Sequence, residues 1–305
     1  MQETVRQMIR AALAAGGEIM DVYAGEIAVE HKDDKSPLTE ADRRSHDTIE
    51  TMLTAAMNAG RIERLPILSE EGATISHTER ATWQRYLLID PLDGTKEFIK
   101  RNGEFTVNIA LMERTAKDGG AGTRAAADEE RAWIPVAGVV YAPALAELFV
   151  GSPEGAWWWG DLSGLTVPDV GDGESMPRAA LGLAGAGRPY TIVASRSHMS
   201  PETEGFVAER RKEHPNLDLI SAGSSLKLCR VADGSADEYP RFAPTMEWDT
   251  AAGDAVARAA GCQVLAWNDG TDGNDGNDGA GPGPRGALRY NKEDLHNPWF
   301  LVRRI

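Results

Sequence analysis

The chain has 305 residues, 42% of them hydrophobic, and a formal net charge of −15. This length fits one large domain or two moderate ones with a substantial core, and we predict two lobes, residues 1–187 and 188–305. The acidic charge excludes attraction to nucleic-acid polymers or to anionic lipid by bulk electrostatics, because both surfaces would repel the protein.

The sequence carries no sign of secretion or of a membrane span. Its N-terminus lacks the layout of a signal peptide, and no run of 18 apolar residues occurs anywhere. Cys229 and Cys262 are the only cysteines and form no C-x-x-C pair, so we expect buried thiols rather than a disulfide. These features predict a cytoplasmic protein, and they leave open its oligomeric state and a peripheral contact at the inner face of the cell membrane.

The first lobe is predicted to contain two helices and an antiparallel sheet. Apolar residues recur every three or four positions over residues 3–23, which is typical of a helix with one buried face. A second helix runs from about Pro37 to Gly60, with Thr39 as its candidate cap. Apolar runs then predict strands at Thr106–Met112, Trp133–Tyr141, Glu147–Val150 and 157–159, with an exposed insertion at Lys117–Arg131.

The second lobe is predicted to be α/β. A connector rich in Gly, Pro and acids, Val167–Pro189, precedes a new strand at 190–194. Strand ends then alternate with helical stretches, which favours an α/β arrangement with ligand groups at the strand ends. We expect a flexible surface loop at Asn268–Gly286 and a last strand within Leu288–Val302.

The stretch Asp90-Pro-Leu-Asp-Gly-Thr95 carries the strongest chemical signal. It follows the apolar run 86–89, which predicts a buried strand that ends at Asp90. Pro91 cannot continue a hydrogen-bonded ladder and Gly94 gives backbone freedom, so we expect a sharp turn that brings both carboxylates to one side. Two aspartates and a main-chain carbonyl suit Mg²⁺, although an Asp-rich turn that only caps a helix fits the same residues.

Two further acidic stretches favour the metal site. Glu70-Glu71 follows an apolar run 20 residues before Asp90, and Trp248-Asp249 opens an Ala-rich helix. Each stretch alone is more often a solvated end or an N-cap. The three acidic stretches together can form one metal site, if the fold brings the ends of their strands and helix close to one another.

These motifs resemble a known family. Glu70-Glu71, Asp90-Pro-Leu-Asp-Gly-Thr95 and Trp248-Asp249-x-Ala-Ala-Gly253 are similar to the three signatures of the inositol monophosphatase superfamily of Mg²⁺-dependent, Li⁺-sensitive phosphatases. The resemblance implies a layered αβαβα sandwich of mixed α+β and α/β character, with an antiparallel sheet in the N-terminal lobe. Within the superfamily, the segments 93–105, Gly223–Lys227 and Tyr239–Phe242 resemble the bacterial 3′(2′),5′-bisphosphate nucleotidases of sulfate assimilation.

The resemblance implies a metal-dependent phosphatase with two or three Mg²⁺ per site. One ion is held by Glu70, Asp90 and the Leu92 carbonyl, and a second by Asp90, Asp93 and Asp249. Asp42 and Thr95, with Glu70, are the expected catalytic residues, because they orient and help deprotonate the attacking water. The alternative for Asp42 is an acid in the first turn of the second predicted helix, where the helix dipole stabilises a negative charge.

The resemblance also implies the substrate. The expected reaction removes the 3′(2′)-phosphate from 3′(2′)-phosphoadenosine 5′-phosphate, and from 3′-phosphoadenylyl sulfate as a further substrate. The expected substrate contacts are Gly94, Thr95, His198, Ser224, Lys227 and Arg241. Two alternatives stay open: a phosphatase for inositol monophosphate or a sugar bisphosphate, and a non-catalytic sensor of Mg²⁺ and nucleotide. An intact Asp42, Glu70 and Thr95 speaks against the sensor.

Overall fold

The computed structural model describes residues 2–31, 37–115, 132–160, 162, 188–195, 199–268 and 282–305. The predicted lobe boundary at 187/188, the insertion 117–131, most of the connector 167–189 and most of the loop 268–286 lie outside these residues. Among the described helices, none is long and apolar enough to cross a membrane. Cys229 and Cys262 are both buried and unpaired, as predicted.

The described residues form helices and strands with the following bounds. The helices are α1 (Glu3–Ala24), α2 (Glu40–Asn58), α3 (His77–Arg80), α4 (Thr95–Ile99), α5 (Pro201–Glu213), α6 (Leu226–Ala232) and α7 (Glu247–Ala259), with a 3₁₀ turn at Pro143–Leu145. The strands are β1 (Val29–His31), β2 (Pro37–Thr39), β3 (Ile67–Ser69), β4 (Arg85–Asp93), β5 (Thr106–Arg114), β6 (Trp133–Ala142), β7 (Glu147–Ser152), β8 (Gly155–Trp159), β9 (Thr191–Ala194), β10 (Asp218–Ser221), β11 (Glu238–Arg241), β12 (Cys262–Asn268), β13 (Gly283–Ala287) and β14 (Phe300–Arg304).

The first large sheet has the strand order β3-β4-β5-β6-β7-β8. All its pairs are antiparallel except β3 with β4, so the predicted antiparallel sheet is confirmed apart from its edge. Successive residues of β4 point to opposite faces: Leu87 packs with α1 and α2, whereas Leu88 packs with α6 and α7. Because both faces are covered, β4 reads as a continuous apolar run rather than an alternating one.

The second sheet has the order β10-β9-β11-β14-β12-β13 and is mixed. The first three strands are parallel, as the α/β prediction requires, whereas β14, β12 and β13 are antiparallel. The last strand predicted within 288–302 is present as β14, but it spans 300–304, and β13 at 283–287 takes the place of the end of the loop predicted at 268–286. Between them, Asn291 has a left-handed φ of 55° and its amide donates to the Glu247 side chain at 2.6 Å, a turn that a strand cannot make.

The layers stack in the expected αβαβα order. Helices α1 and α2 cover one face of the first sheet, α6 and α7 lie between the two sheets, and α5 packs on the second sheet. Helix α7 approaches β6 and β7 closely because Gly138 and Gly151 have no side chains. A Cβ on Gly138 would lie 2.2 Å from the Ala252 carbonyl oxygen, and one on Gly151 would lie 2.5 Å from that of Ala255.

We predict that Gly138→Ala lowers the free energy of unfolding by about 1 to 3 kcal/mol, because the added methyl must push α7 away from the sheet. Gly17→Ala is the matched control, since Gly17 lies in the interior of α1 with nothing within 4 Å of an added Cβ. That change should stabilise the protein by about 0.5 to 1 kcal/mol. Urea unfolding followed by circular dichroism measures both, and equal effects of the two variants would contradict the packing argument.

Candidate active site

The two aspartates of the central motif lie on a β-bulge. Asp90 pairs with Asn108 and Asp93 pairs with Thr106, so β4 carries one more residue than β5 over this stretch. Residues three apart on a regular strand point to opposite faces, and the bulge takes up the extra residue. The prediction that this strand ends at Asp90 is therefore wrong, because β4 continues to Asp93. Pro91 lies inside the irregular segment, where no backbone N–H is needed for pairing with the next strand.

Three carboxylates converge at this point. One oxygen from each of Asp90, Asp93 and Asp249 lies within 4.8 Å of the others. Burial, with the neighbouring charges of Glu70, Asp93 and Asp249, raises the pKa of Asp90 well above its usual range. Burial, and next the charge of Asp93, raises the pKa of Asp249 to about 8. The cluster thus concentrates negative charge in a poorly solvated place.

The donor set fits a divalent metal. In the described part of the chain, none of Asp90, Asp93 and Asp249 forms a salt bridge. Poorly solvated carboxylates that form no ion pair are costly to ionise, and a bound cation reduces that cost. Carboxylate and carbonyl oxygens are the ligands that Mg²⁺ prefers. The cluster can therefore hold Mg²⁺.

Glu70 reaches the same place from the loop after β3. Strand β3 runs parallel to β4, and the Glu70 amide donates to the Ile89 carbonyl at 3.1 Å. The Glu70 carboxyl is close enough to Asp90 to raise its pKa by both charge and a hydrogen bond. Glu70, Asp90, Leu92, Asp93 and Asp249 line one cavity. The five predicted metal ligands are thus brought together, and their individual roles stay predictions.

Asp42 and Thr95 are in contact, although 53 positions separate them. The Thr95 hydroxyl donates to Asp42 Oδ1 at 3.2 Å. The other oxygen, Oδ2, accepts from the Thr39 amide at 2.8 Å and from the Thr39 hydroxyl at 2.6 Å. Asp42 therefore caps α2 and at the same time contacts Thr95, which lines the cavity, and Thr39 is its N-cap partner, as predicted.

Two site residues were missed by the sequence analysis. The buried Ser225 hydroxyl lies 2.6 Å from Asp93 Oδ2 and 2.8 Å from the Asp249 carbonyl oxygen. It accepts a hydrogen bond of 2.8 Å from Asn108 Nδ2. Asn108 carries a usable signal, because a polar residue inside an apolar strand needs a partner when both faces of the strand are buried. Ser225 is the link that ties Asp93 to the α7 backbone.

Gly94 and Ser224 meet where β4 gives way to α4. Gly94 has a left-handed φ of 90°, and a Cβ there would lie 2.2 Å from the Ser224 hydroxyl oxygen. Ser224 also has a left-handed φ, 46°, and its hydroxyl reaches the carbonyl oxygens of Asp93 at 2.9 Å and Glu104 at 2.7 Å. The structure thus uses this hydroxyl to join two segments, and its predicted contact with substrate is untested.

The predicted cationic contacts lie in a second cavity that adjoins the acidic one. Lys227 and Arg241 line it together with Asp93, Gly94 and Asp249. Lys227 is buried, which lowers its pKa to about 8, and its ammonium donates to the carbonyls of Ser224 at 2.7 Å and Ala222 at 3.3 Å. Arg241 donates to the Pro244 carbonyl at 3.1 Å. His198, also predicted to contact substrate, lies outside the described residues.

The chain is similar in sequence to known phosphatases. The sequence profile of the inositol monophosphatase family matches residues 1–121 and 130–296. The 3′(2′),5′-bisphosphate nucleotidase CysQ of Salmonella typhimurium is 41% identical over 270 residues, which is 88% of this chain and 92% of that protein. The enzyme of the same name from Escherichia coli K12 is 40% identical over 263 residues, 86% of this chain and 89% of its own.

Solved structures agree in fold. The crystal structure of CysQ from Bacteroides thetaiotaomicron, a bacterial member of the inositol monophosphatase family, is 42% identical with a TM-score of 0.72, and the match covers 100% of this chain and 98% of that one. The IMPase of Thermotoga maritima, at 20% identity and a TM-score of 0.58 over 97% of this chain and 89% of its own, shares the fold. Since profile, sequence and structure match over most of its length, the chain belongs to the inositol monophosphatase family.

Proposed function

We propose that this chain is a Mg²⁺-dependent 3′(2′),5′-bisphosphate nucleotidase, which hydrolyses 3′(2′)-phosphoadenosine 5′-phosphate to AMP and phosphate. One observation carries the proposal: the acidic cluster opens directly into a cavity that also receives Lys227 and Arg241. A site for one phosphate monoester needs only the acidic part with its metal. A cationic wall beside it fits a substrate with a second anionic group.

The residues that would hold the metal are Glu70, Asp90, the Leu92 carbonyl, Asp93 and Asp249, and we propose two ions per site, with a third as an upper count. When bound, Mg²⁺ neutralises the phosphate oxygens and lowers the pKa of a coordinated water. The chain itself contributes the position of each carboxylate, because the bulge in β4 and the first turn of α7 fix them before any ligand binds.

Thr95 and Asp42 are proposed to receive the proton of the attacking water. The Thr95 hydroxyl donates to Asp42 Oδ1, so its own lone pairs are left to accept from a water in the cavity. Oδ2 of Asp42 is occupied by Thr39, which holds the carboxylate in one orientation. A proton can therefore pass through the Thr95 hydroxyl to Oδ1. This contact argues against a non-catalytic sensor, which needs no proton acceptor.

The amides of Gly94 and Thr95 are proposed to hold the phosphoryl oxygens of the scissile group. Helix α4 begins at Thr95 with Gly94 as its N-cap, and its first internal hydrogen bond is from the Phe98 amide to the Gly94 carbonyl at 2.9 Å. The preceding amides have no partner within the helix and are available to an anion.

The substrate assignment is tested with a panel of phosphate monoesters. Phosphate release from 3′-phosphoadenosine 5′-phosphate should exceed release from inositol 1-phosphate and from fructose 1,6-bisphosphate by at least about tenfold in kcat/KM, because only the nucleotide fills both cavities. Release should vanish in EDTA and return with Mg²⁺. A preference for the inositol or sugar ester would replace the nucleotidase with the alternative phosphatase, which uses the same acids.

Removing one carboxylate of the acidic cluster should abolish activity while the protein still folds. We predict that Asp249→Asn and Asp93→Asn lower kcat by orders of magnitude.

Because burial and Asp93 raise the folded-state pKa of Asp249, the folded protein holds a proton that the unfolded chain has lost. The melting temperature of the metal-free protein should therefore fall as the pH rises from about 4 to about 8, and Asp249→Asn should weaken that fall. Mg²⁺ should stabilise the wild type more than either variant.

Asp218→Asn is the control for this experiment, since Asp218 is an exposed acid on β10, far from the cluster in sequence. It should change neither the activity nor the response of the melting temperature to Mg²⁺. Near wild-type turnover in Asp93→Asn or Asp249→Asn would remove these residues from the metal site.

The proton path is tested at Thr95. Thr95→Ala should lower kcat by about a hundredfold or more, because Asp42 loses its connection to the water. Thr95→Ser keeps a hydroxyl at the same position and should recover most of the rate. Single-turnover measurements at saturating substrate, with circular dichroism to confirm folding, compare the two. If the alanine and serine variants are equally impaired, the threonine acts by packing and the proposed path is wrong.

A further inference from the structure

Positive charge is concentrated in the cavity beside the acidic cluster. The whole chain carries a net charge of −15, yet four cationic side chains line this one cavity, together with the acids Asp93, Glu97 and Asp249: Lys96, Lys100, Lys227 and Arg241. Lys227 and Arg241 belong to α6 and β11. Lys96 and Lys100 come from α4 and its C-cap, shortly after Asp93. Both lie in the segment 93–105 that resembles the nucleotidases, but the sequence assigned neither of them a role.

Lys96 and Lys100 are exposed side chains that line this cavity without an acidic partner in the described part of the chain. Within the described ranges, neither ammonium forms a salt bridge or a side-chain hydrogen bond, whereas Arg44, Arg85 and Lys212 each pair with an acid. Residues four apart on a helix share a face, so both lysines line the same wall. In a chain so rich in acids, two unpaired cations on one cavity wall fit a site that receives its anion from outside.

The other two cations are partly engaged by the backbone. Lys227 donates to two backbone carbonyls, and Arg241 donates to a third while its Nε has no partner among the described residues. The ammonium groups of Lys96 and Lys100 form no hydrogen bond within the described ranges, so they add two further cations to the same cavity.

We propose that Lys96 and Lys100 are specificity-determining residues that bind the second phosphate of the substrate, the 5′-phosphate of a 3′,5′-bisphosphate nucleotide. This inference rests on the proposed function. The scissile phosphate lies at the acidic cluster, and the second phosphate lies away from it, between α4 on one side and Lys227 and Arg241 on the other. The substrate thus bridges the part of the chain before residue 188 and the part after it.

The two lysines are not equivalent. Lys96 lines both the acidic cavity and the cationic one, whereas Lys100 lines only the cationic one. Loss of Lys100 should therefore affect the second phosphate alone, and loss of Lys96 should also weaken the hold on the scissile group. This difference provides an internal check on the geometry.

The test compares 3′-phosphoadenosine 5′-phosphate with adenosine 3′-monophosphate, which has the same base and scissile group but no 5′-phosphate. Lys100→Ala should lower the ratio of their kcat/KM values about tenfold, mainly through KM for the bisphosphate. Lys96→Ala should lower kcat/KM for both substrates, and more for the bisphosphate. Lys212→Ala removes one positive charge outside the cavity and should leave the ratio unchanged. A ratio unaffected by Lys100→Ala, or one equally lowered by Lys212→Ala, would overturn the assignment.

A binding measurement without metal separates this inference from the proposed function. In EDTA, calorimetry should show that the wild type binds adenosine 5′-monophosphate more tightly than adenosine, and Lys100→Ala should remove most of that difference. If the wild type fails to hydrolyse the bisphosphate, the proposed function falls. If it hydrolyses the bisphosphate but the lysine variants keep the full preference for the 5′-phosphate in both assays, only the lysine subsite falls.

Discussion

Like-charge repulsion among Asp90, Asp93 and Asp249 is the interaction on which the rest of the site depends. Three carboxylate oxygens within 4.8 Å of one another oppose folding unless they are protonated or neutralised by a cation. The chain offsets this cost with rigid supports: a bulge that fixes two of the acids, a helix start that holds the third, and the Ser225 hydroxyl between Asp93 and the α7 backbone. The same repulsion favours the binding of a divalent metal, because the cation neutralises the three carboxylates.

Two of the functional acids are also helix caps. Asp42 sits at the third position of α2 and accepts from the Thr39 amide, and Asp249 sits at the third position of α7 and accepts from the Met246 amide at 2.8 Å. In each case one oxygen completes the cap and the helix dipole favours the negative charge. The other oxygen is left for the site. The structural role and the proposed functional role of such an aspartate are therefore compatible, because the cap holds its second oxygen in place.

The sequence predicted the helices, the first sheet and the gathering of the acids, because periodicity and acidic strand ends are local signals. It did not predict the bulge, since one extra residue in β4 is visible only against its partner β5. Ser225 and Asn108 are 117 positions apart, and only the fold brings them together. The turn at Asn291 was missed for the same reason: the carboxylate of Glu247, 44 positions away, holds its amide. Local patterns thus located the ligands, whereas their supports are long-range contacts.

The contact between the loop 223–225 and the segment after β4 connects these supports to substrate choice. A Cβ on Gly94 would lie 2.2 Å from the Ser224 hydroxyl, and one on Gly223 would lie 2.5 Å from the Glu104 carbonyl. The two backbones leave no room for a methyl group, and Ser225 of the same loop contacts both Asp93 and the Asp249 carbonyl. The same contact sets the spacing between the lysines of α4 and the buried Lys227, whose ammonium holds the loop through the Ser224 carbonyl. One junction therefore connects Asp93 and Asp249 to the cationic cavity, so a change that loosens it should alter turnover and selectivity together.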